Sequence, residues 1–430
     1  MDLLPLALFL VLMAINAPIA FAIAAGALLF FLDQKGLPLV IFPQRLMSAS
    51  GSFPLVAIPM FVLAGVVMNR AGITRRLLNL AEALVGHLPG ALAQMNVVLA
   101  TLMGFESGSG NADAAMQAKM LGTEMVRRGY AAPFAAAIVA ASAVITPIIP
   151  PGLGFVIYGY LANVSVGRLF LAGVVPGFML MAALMLVTHR IALREGYLPL
   201  RPRFVSAGEL LAAVRAAGWA LTVPVFIVVG LRNGLFTPTE AGAVIAAYSL
   251  AVGFLAHREL KLSDLWPMLT EASLATASVM LIISAADAFG FYMTMEQVPA
   301  AAARLLGTLT ANPTAMLFLI NGLLLVVGMF LESVAALIML TPILAVVGAG
   351  VGIDPVHLGL VIVLNITIGA ITPPVGTLMF ISCGVLKVSV ARFSRAILPL
   401  LLAQLAVLVL LILFPRLVTF LPDMLMGPGR

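Results

Sequence analysis

The 430 residues carry only 23 basic and 17 acidic side chains, so 9% of the chain is charged and the formal net charge is +6. Soluble domains carry roughly 25% charged residues. With 63% hydrophobic residues and a mean hydropathy of +1.17, this chain has too little polar material to cover a globule in water. Composition therefore excludes a soluble enzyme, a disordered chain and a nucleic-acid partner. Continuous rather than alternating apolar runs exclude a β-barrel. What remains is an all-α polytopic protein of the lipid bilayer. At about 20 residues per crossing the length allows roughly ten to fourteen passes. The basic residues cluster between apolar runs, as cytoplasmic loops require. Cys383 has no disulfide partner, and His87, His189, His257 and His357 are too scattered for a ligand set.

Residues 3–32 exceed one comfortable span and are interrupted at Asn16-Ala17-Pro18. Proline removes a donor and disfavours helix in the residue before it, so two short helices are expected, with one kinked helix as the alternative. Asp2 and the lack of a basic leader mark the first run as a membrane helix rather than a cleaved signal. Residues 54–69 form the next span, and the apolar spacing at 77–85 after Arg70, Arg75 and Arg76 predicts an amphipathic surface helix. At 97–126 two half-length helical stretches flank a polar, glycine-rich tip containing Glu106, Ser107, Gly108, Ser109, Gly110, Asn111 and Asp113. That pattern predicts a re-entrant hairpin, since irregular backbone at membrane depth is tolerated only against protein or an aqueous cavity.

A helix over 131–163 is broken at 146–152 by Pro147, Pro150 and Pro151, and 170–187 spans again. The stretch 189–215, rich in arginine, is the expected cytoplasmic connector. Spans follow near 218–231, 241–255 and 269–295, then a surface helix over 298–309. A second hairpin is expected over 316–351, with Gly328, Glu332 and Ser333 near its tip. The helix over 358–386 is broken at 372–376 by Pro373 and Pro374, and 397–421 is the last span.

The halves repeat. Pro150-Pro151 recurs as Pro373-Pro374, and Val164-Ser165-Val166-Gly167-Arg168 recurs, at nearly the same offset, as Val388-Ser389-Val390-Ala391-Arg392. Five spans and one hairpin per half make each half odd, so residues 1–188 and 216–430 read as inverted-topology repeats. The expected architecture is about ten spanning helices plus two re-entrant hairpins.

Paired broken helices meeting near the midplane are the mark of a secondary-transporter site. Half-helix N-termini face an anionic substrate there, and carbonyl and hydroxyl oxygens coordinate a small cation. Ser107, Ser109, Asn111, Thr146, Ser333, Thr372 and Thr377 supply such oxygens. Glu106, Asp113 and Glu332 are ionisable groups in apolar surroundings, costly unless compensated. Lys119 is placed to pair with Asp113 or Glu124, or to contact an anionic substrate. No phosphate-binding loop is present, so ATP hydrolysis is not encoded. A stand-alone ion-coupled carboxylate carrier is the alternative among transporters. An intramembrane enzyme is the distant one, disfavoured because His189, His257 and His357 sit at helix ends.

Gly104-Phe105-Glu106-Ser107-Gly108-Ser109, Ala112-Asp113, Arg128-Gly129-Tyr130 and Pro147-Ile148-Ile149-Pro150-Pro151 resemble the large membrane subunit of tripartite ATP-independent periplasmic (TRAP) transporters. So do Leu340-Thr341-Pro342, Gly352-Ile353-Asp354-Pro355 and Ile371-Thr372-Pro373-Pro374-Val375-Gly376. The resemblance spans essentially the whole chain. It implies a sodium-coupled, elevator-type importer of a small organic acid in the bacterial inner membrane, with sodium as coupling ion and no other cofactor. It also implies two partners, a small membrane subunit and a periplasmic substrate-binding protein. Carried over, substrate falls to Ser107, Gly108, Ser109, Asn111, Pro150, Pro151, Pro373 and Pro374. Sodium falls to Ser107, Ser109, Thr146, Gly328, Glu332, Ser333, Thr372 and Gly376. The chain departs from the family pattern at Asn111, at Lys119 and Glu124, and at Glu332-Ser333-Val334.

Overall fold

The computed structural model describes residues 3–15, 17–34, 36–48, 51–106 and 108–427, and all regular structure among them is helical. Helices α1 (Leu4–Ala14) and α2 (Ile19–Asp33) are separate, with Pro18 opening the second, so the two-helix alternative holds. Asn16 lies outside the described residues. A short helix, α3 (Ile41–Ser48), occupies a stretch with no element expected from sequence. One 3-10 turn (Phe53–Val56) leads into α4 (Ala57–Arg70). Gly72, at φ +71°, then turns the chain into α5 (Ile73–Val85), which buries Ile73, Leu77, Leu80 and Ala81 on one face, as an amphipathic helix should.

Hairpin one consists of α6 (Ala91–Gly104) and a second arm of α7 (Gly110–Gln117), a π-helical turn (Ala118–Gly122) and α8 (Thr123–Arg127). The first broken helix is α9 (Ala132–Ala143) and α10 (Leu153–Leu161), followed by α11 (Val166–Glu195). The second half runs through α12 (Ala207–Arg232), α13 (Pro238–Ala251), α14 (Leu262–Met295) and α15 (Val298–Leu309). Hairpin two is α16 (Pro313–Phe330) and α17 (Ser333–Gly350), and the second broken helix is α18 (Pro355–Gly369) and α19 (Thr377–Leu386). The chain closes with α20 (Val390–Leu413) and α21 (Arg416–Met426).

Eight helices among the described residues are long and apolar enough to cross a membrane, and two of them are the arms of hairpin two. The other six stand beside the shorter apolar helices α1 and α2 and the two broken helices, where the sequence placed its ten crossing elements.

Several boundaries differ from expectation; hairpin one starts at Ala91 rather than 97, and α14 at Leu262 rather than 269. The connector over 189–215 shrinks to residues 196–206, because α11 continues to Glu195 and α12 begins at Ala207. Thirty residues of α-helix are about 45 Å long, against about 30 Å of hydrocarbon, so Arg190 and Arg194 ride on the protruding end of a helix. Ser206 and Glu209 form a reciprocal capping box at the start of α12. The last span also stops early: helix ends at Leu413 just before Pro415, and α21 folds back on α11.

The halves clasp each other reciprocally. α13 packs on α4 as α2 packs on α14; α7 meets α19 as α17 meets α10; α9 meets α20 as α18 meets α11. A core made largely of alanine, valine, leucine and isoleucine from α9, α10 and α18 runs between the two hairpins.

Candidate functional site

Hairpin one ends in an irregular tip over 105–109, within which Ser107 lies outside the described residues. Gly108 adopts φ +57°, and a Cβ there would stand 2.5 Å from the Pro151 carbonyl oxygen. Only glycine lets the tip approach the first helix break so closely. Ser109 caps α7, its hydroxyl accepting from the Ala112 N–H at 3.5 Å. Within the break, Thr146 donates to Asp113 Oδ2 at 2.9 Å, tying break to hairpin. The Pro150-Pro151 peptide is cis, as is Pro373-Pro374 in the second break.

Hairpin two is built by different means. The Glu332 carboxylate accepts from the Val334 and Ala335 N–H groups at 2.9 and 3.1 Å and so caps α17. Gly328 and Gly369 let α16 and α18 touch: a Cβ on Gly369 would lie 2.6 Å from Gly328 Cα. Behind them Asn365 donates to the Asn321 carbonyl at 3.0 Å and to its side-chain oxygen. Thr372 donates to the Ile368 carbonyl at 2.8 Å. Thr377, opening α19, donates to Asn111 Oδ1 at 3.5 Å, so the second break is linked to hairpin one.

The two tips meet at a cavity of about 100 Å³ lined by Gly108, Ser109, Asn111, Glu332 and Ser333. Pro147, Leu153, Gly154, Val363, Thr367 and Leu378 are among the other residues of its walls. Five residues singled out by sequence thus converge. Pro150, Pro151, Pro373 and Pro374 do not line the cavity; nor do Thr146, Gly328, Thr372 and Gly376. They lie in or beside the breaks, where Thr146 and Thr372 are buried with their hydroxyls already donating. Thr367 was not anticipated, and nothing in its local sequence separates it from an ordinary helical threonine.

Within the breaks, no hydrogen bond reaches the carbonyls of 146–151 or 372–375 among the described residues. Such oxygens suit a hard monovalent cation. No cluster of three or more His, Cys, Asp or Glu side chains able to hold a metal occurs among the described residues. His357 is a buried core residue whose ring nitrogen bonds the Leu411 carbonyl at 2.9 Å. Of the charges on the second arm of hairpin one, Glu124 pairs with Arg128 at 2.8 Å, not with Lys119. Lys119 is exposed and makes no ion pair to either acid among the described residues.

Residues 6–417 match the family described as tripartite ATP-independent periplasmic transporter, DctM component. The chain is 40% identical over 415 residues to the isethionate TRAP transporter permease protein DctMQ of Oleidesulfovibrio alaskensis, covering 96% of this chain and 65% of that longer protein. It is 38% identical over 413 residues to the sialic acid TRAP transporter large permease protein SiaM of Vibrio cholerae, covering 96% of each. In fold it is similar to the YdaH transporter of Alcanivorax borkumensis, with a TM-score of 0.68 at 15% identity over 99% of this chain and 100% of that one. The chain is therefore a multi-pass membrane protein and a transport component rather than an enzyme, and it belongs to the DctM family, the large permease component of tripartite ATP-independent periplasmic transporters.

Proposed function

We propose that this chain carries a small organic acid across the bacterial inner membrane, driven by sodium and delivered by a periplasmic substrate-binding protein, with a small membrane subunit as second partner. The observation that carries the reading is the cavity where both hairpin tips converge on the two broken helices. α7 and α17 begin at this cavity, and the positive ends of their dipoles favour an anionic substrate group. Ser109, Asn111 and Ser333 add neutral hydrogen-bonding groups. The relatives named for isethionate and sialic acid handle a sulfonate and a carboxylate, which fits an anion at this place.

Sodium would sit against the free carbonyls of the breaks, at 146–151 beside hairpin one and 372–375 beside hairpin two. The prolines shape those breaks by removing donors, rather than touching substrate. Hairpins and broken helices would move together as a carrier against α4, α13, α14 and their neighbours, in two inverted repeats on either side of residues 196–206.

Uptake in proteoliposomes tests this. With both partners present, uptake of an organic acid should require the binding protein and an inward sodium gradient. Ser107→Ala and Thr372→Ala should each raise the half-saturating sodium concentration about tenfold, the loss of one ligand-sized interaction of ~1.4 kcal/mol. Uptake indifferent to sodium and to the binding protein would overturn the assignment.

A further inference from the structure

The cavity between the hairpin tips is small, and its walls are of one kind. An apolar cavity of roughly 150 Å³ takes up a benzene ring, so about 100 Å³ is room for a charged group and a few carbons. Leu153 from α10, Val334 and Leu337 from α17, Val363 and Ile366 from α18, and Leu378 from α19 make the walls apolar. They are set close: a Cβ on Gly154 would lie 3.0 Å from Val363 Cγ1 and 3.7 Å from Leu337 Cδ2. No lysine, arginine or histidine lines the cavity among the described residues. Past Ser109 and Leu153, which line both, lies a second cavity of about 240 Å³ between hairpin one, α4 and α14. Asn69, Glu106, Asp113 and Glu271 line that one, and again no cationic side chain does among the described residues.

The polar groups of the tip cavity are few and mostly committed. The Glu332 carboxylate occupies the Val334 and Ala335 N–H groups, so the start of α17 already holds an anion of the protein's own. Thr367 donates its hydroxyl proton to the Val363 and Leu364 carbonyls, at 3.1 and 2.8 Å. The start of α7 is capped instead by the neutral hydroxyl of Ser109. Asn111 is the second residue of that helix, and its Oδ1 is taken by Thr377 at 3.5 Å. The two N–H donors of the same amide have no protein acceptor among the described residues. One place for an external anionic group therefore remains, at Asn111, where the helix dipole adds to the amide.

We propose that the tip cavity takes a compact organic monoanion, with one carboxylate or sulfonate group held at Asn111 and a short, mainly apolar body lying between α10, α17 and α18. This substrate class rests on the tip cavity being the transport site, and narrows what that site accepts. A second anionic group would lie between the Glu332 carboxylate and apolar walls with no cation to meet it, and a buried charge without a partner is costly. A row of hydroxyls would be stripped of water against Leu337, Val363 and Ile366, where aliphatic side chains replace it. Asn111 thus selects for charge, and Leu337 with Val363 limits length.

Binding to the purified full-length protein in sodium tests this without the partners, through the rise in melting temperature with propanoate, hexanoate, butanedioate and gluconate at matched ionic strength. Propanoate should bind at least about tenfold more tightly than the dianion butanedioate, the polyhydroxylated gluconate or the longer hexanoate. Asn111→Ala should weaken propanoate about tenfold, through loss of a charge-assisted hydrogen bond. Leu337→Ala lengthens the cavity and should bring hexanoate level with propanoate. Any of the other three binding the parent as tightly as propanoate, and losing that binding in Asn111→Ala, overturns the compact monoanion while leaving the tip cavity as the anion site. Stabilisation by none of the four, or stabilisation undiminished in Asn111→Ala, removes the anion from the tip cavity and overturns both. Should Asn111→Ala fail to fold, Leu337→Ala and the parent's order of preference decide. A parent that does not prefer propanoate, or a preference over hexanoate that Leu337→Ala leaves unchanged, then overturns the proposal.

Discussion

The two hairpins occupy corresponding places in the two halves, yet they are embedded differently. In hairpin one, 13 of the 14 residues of α6 are buried, and the tip carries Glu106 and Asp113. In hairpin two, α16 buries six of 18 residues, while Phe318, Leu319, Leu323, Val326 and Phe330 are exposed. The first arm of hairpin one is held on all sides by protein, while the first arm of hairpin two presents an apolar flank to lipid or to a partner. Polar groups follow that division. Hairpin one holds carboxylates that need partners from other elements, whereas hairpin two holds one carboxylate satisfied by its own helix N-terminus. The two hairpins thus share a helix–tip–helix plan, while the chemistry at each tip is set by what surrounds it.

Substitutions that exchange these circumstances should separate the hairpins. The largest effect is expected from Gly108→Val. It adds left-handed strain to an overlap with the Pro151 carbonyl and should cost about 3 kcal/mol or more of stability, with loss of transport. Gly369→Val, where φ is ordinary and the obstacle is the Gly328 backbone, should cost about 1–3 kcal/mol. Melting in detergent and uptake measure both, and a larger loss at Gly369 would reverse the ranking of the hairpins.

Next come the carboxylates. Asp113→Ala leaves the Thr146 hydroxyl only the long contact to the Ala100 carbonyl at 3.4 Å and should cost about 1–3 kcal/mol. Glu332→Ala removes only a helix cap, about 1 kcal/mol. Equal costs would erase the distinction between a carboxylate bonded across elements and one bonded within its own helix.

The smallest effect serves as the reference outside the hairpins. The Arg76 guanidinium, with Arg75 assisting, holds the Glu259 carboxyl below the usual carboxylate range. A lowered value means the ionised form stabilises the fold above the ordinary carboxylate pKa, and that contribution is lost as pH falls through the lowered value. Glu259→Gln should therefore cost under about 1 kcal/mol at neutral pH. The difference from the parent should vanish in acid, as pH-dependent melting would reveal.

Much of this arrangement was legible in the sequence because proline and glycine mark backbone breaks wherever they fall. The two helices before residue 34, the tips of both hairpins and both Pro-Pro breaks followed from those signals, and the amphipathic α5 from its apolar spacing. Other features carried no such mark. The short α3 resembles a loop in composition, and the arginines at the end of α11 resemble a connector, since charge alone does not tell a protruding helix from a loop. Within the site, residue type indicated which side chains could supply oxygens but not which way they point. Thr146 turned out to bond hairpin one and Thr372 its own helix α18, while Asn111 reached the opposite half. The cavity lined by Asn69, Glu106 and Glu271 was invisible for a similar reason: α4 and α14, which wall it, come from opposite halves of the chain.

The reciprocal packing of α7 on α19 and of α17 on α10 has a consequence for how such a chain is assembled. Each hairpin rests on the other half's broken helix, so neither half presents a finished surface by itself. During synthesis the first half must wait in the membrane with hairpin one incompletely covered until α19 arrives, near the end of the chain. Cutting the chain within 196–206 should accordingly yield fragments that recover a shared structure when made together and none when made apart.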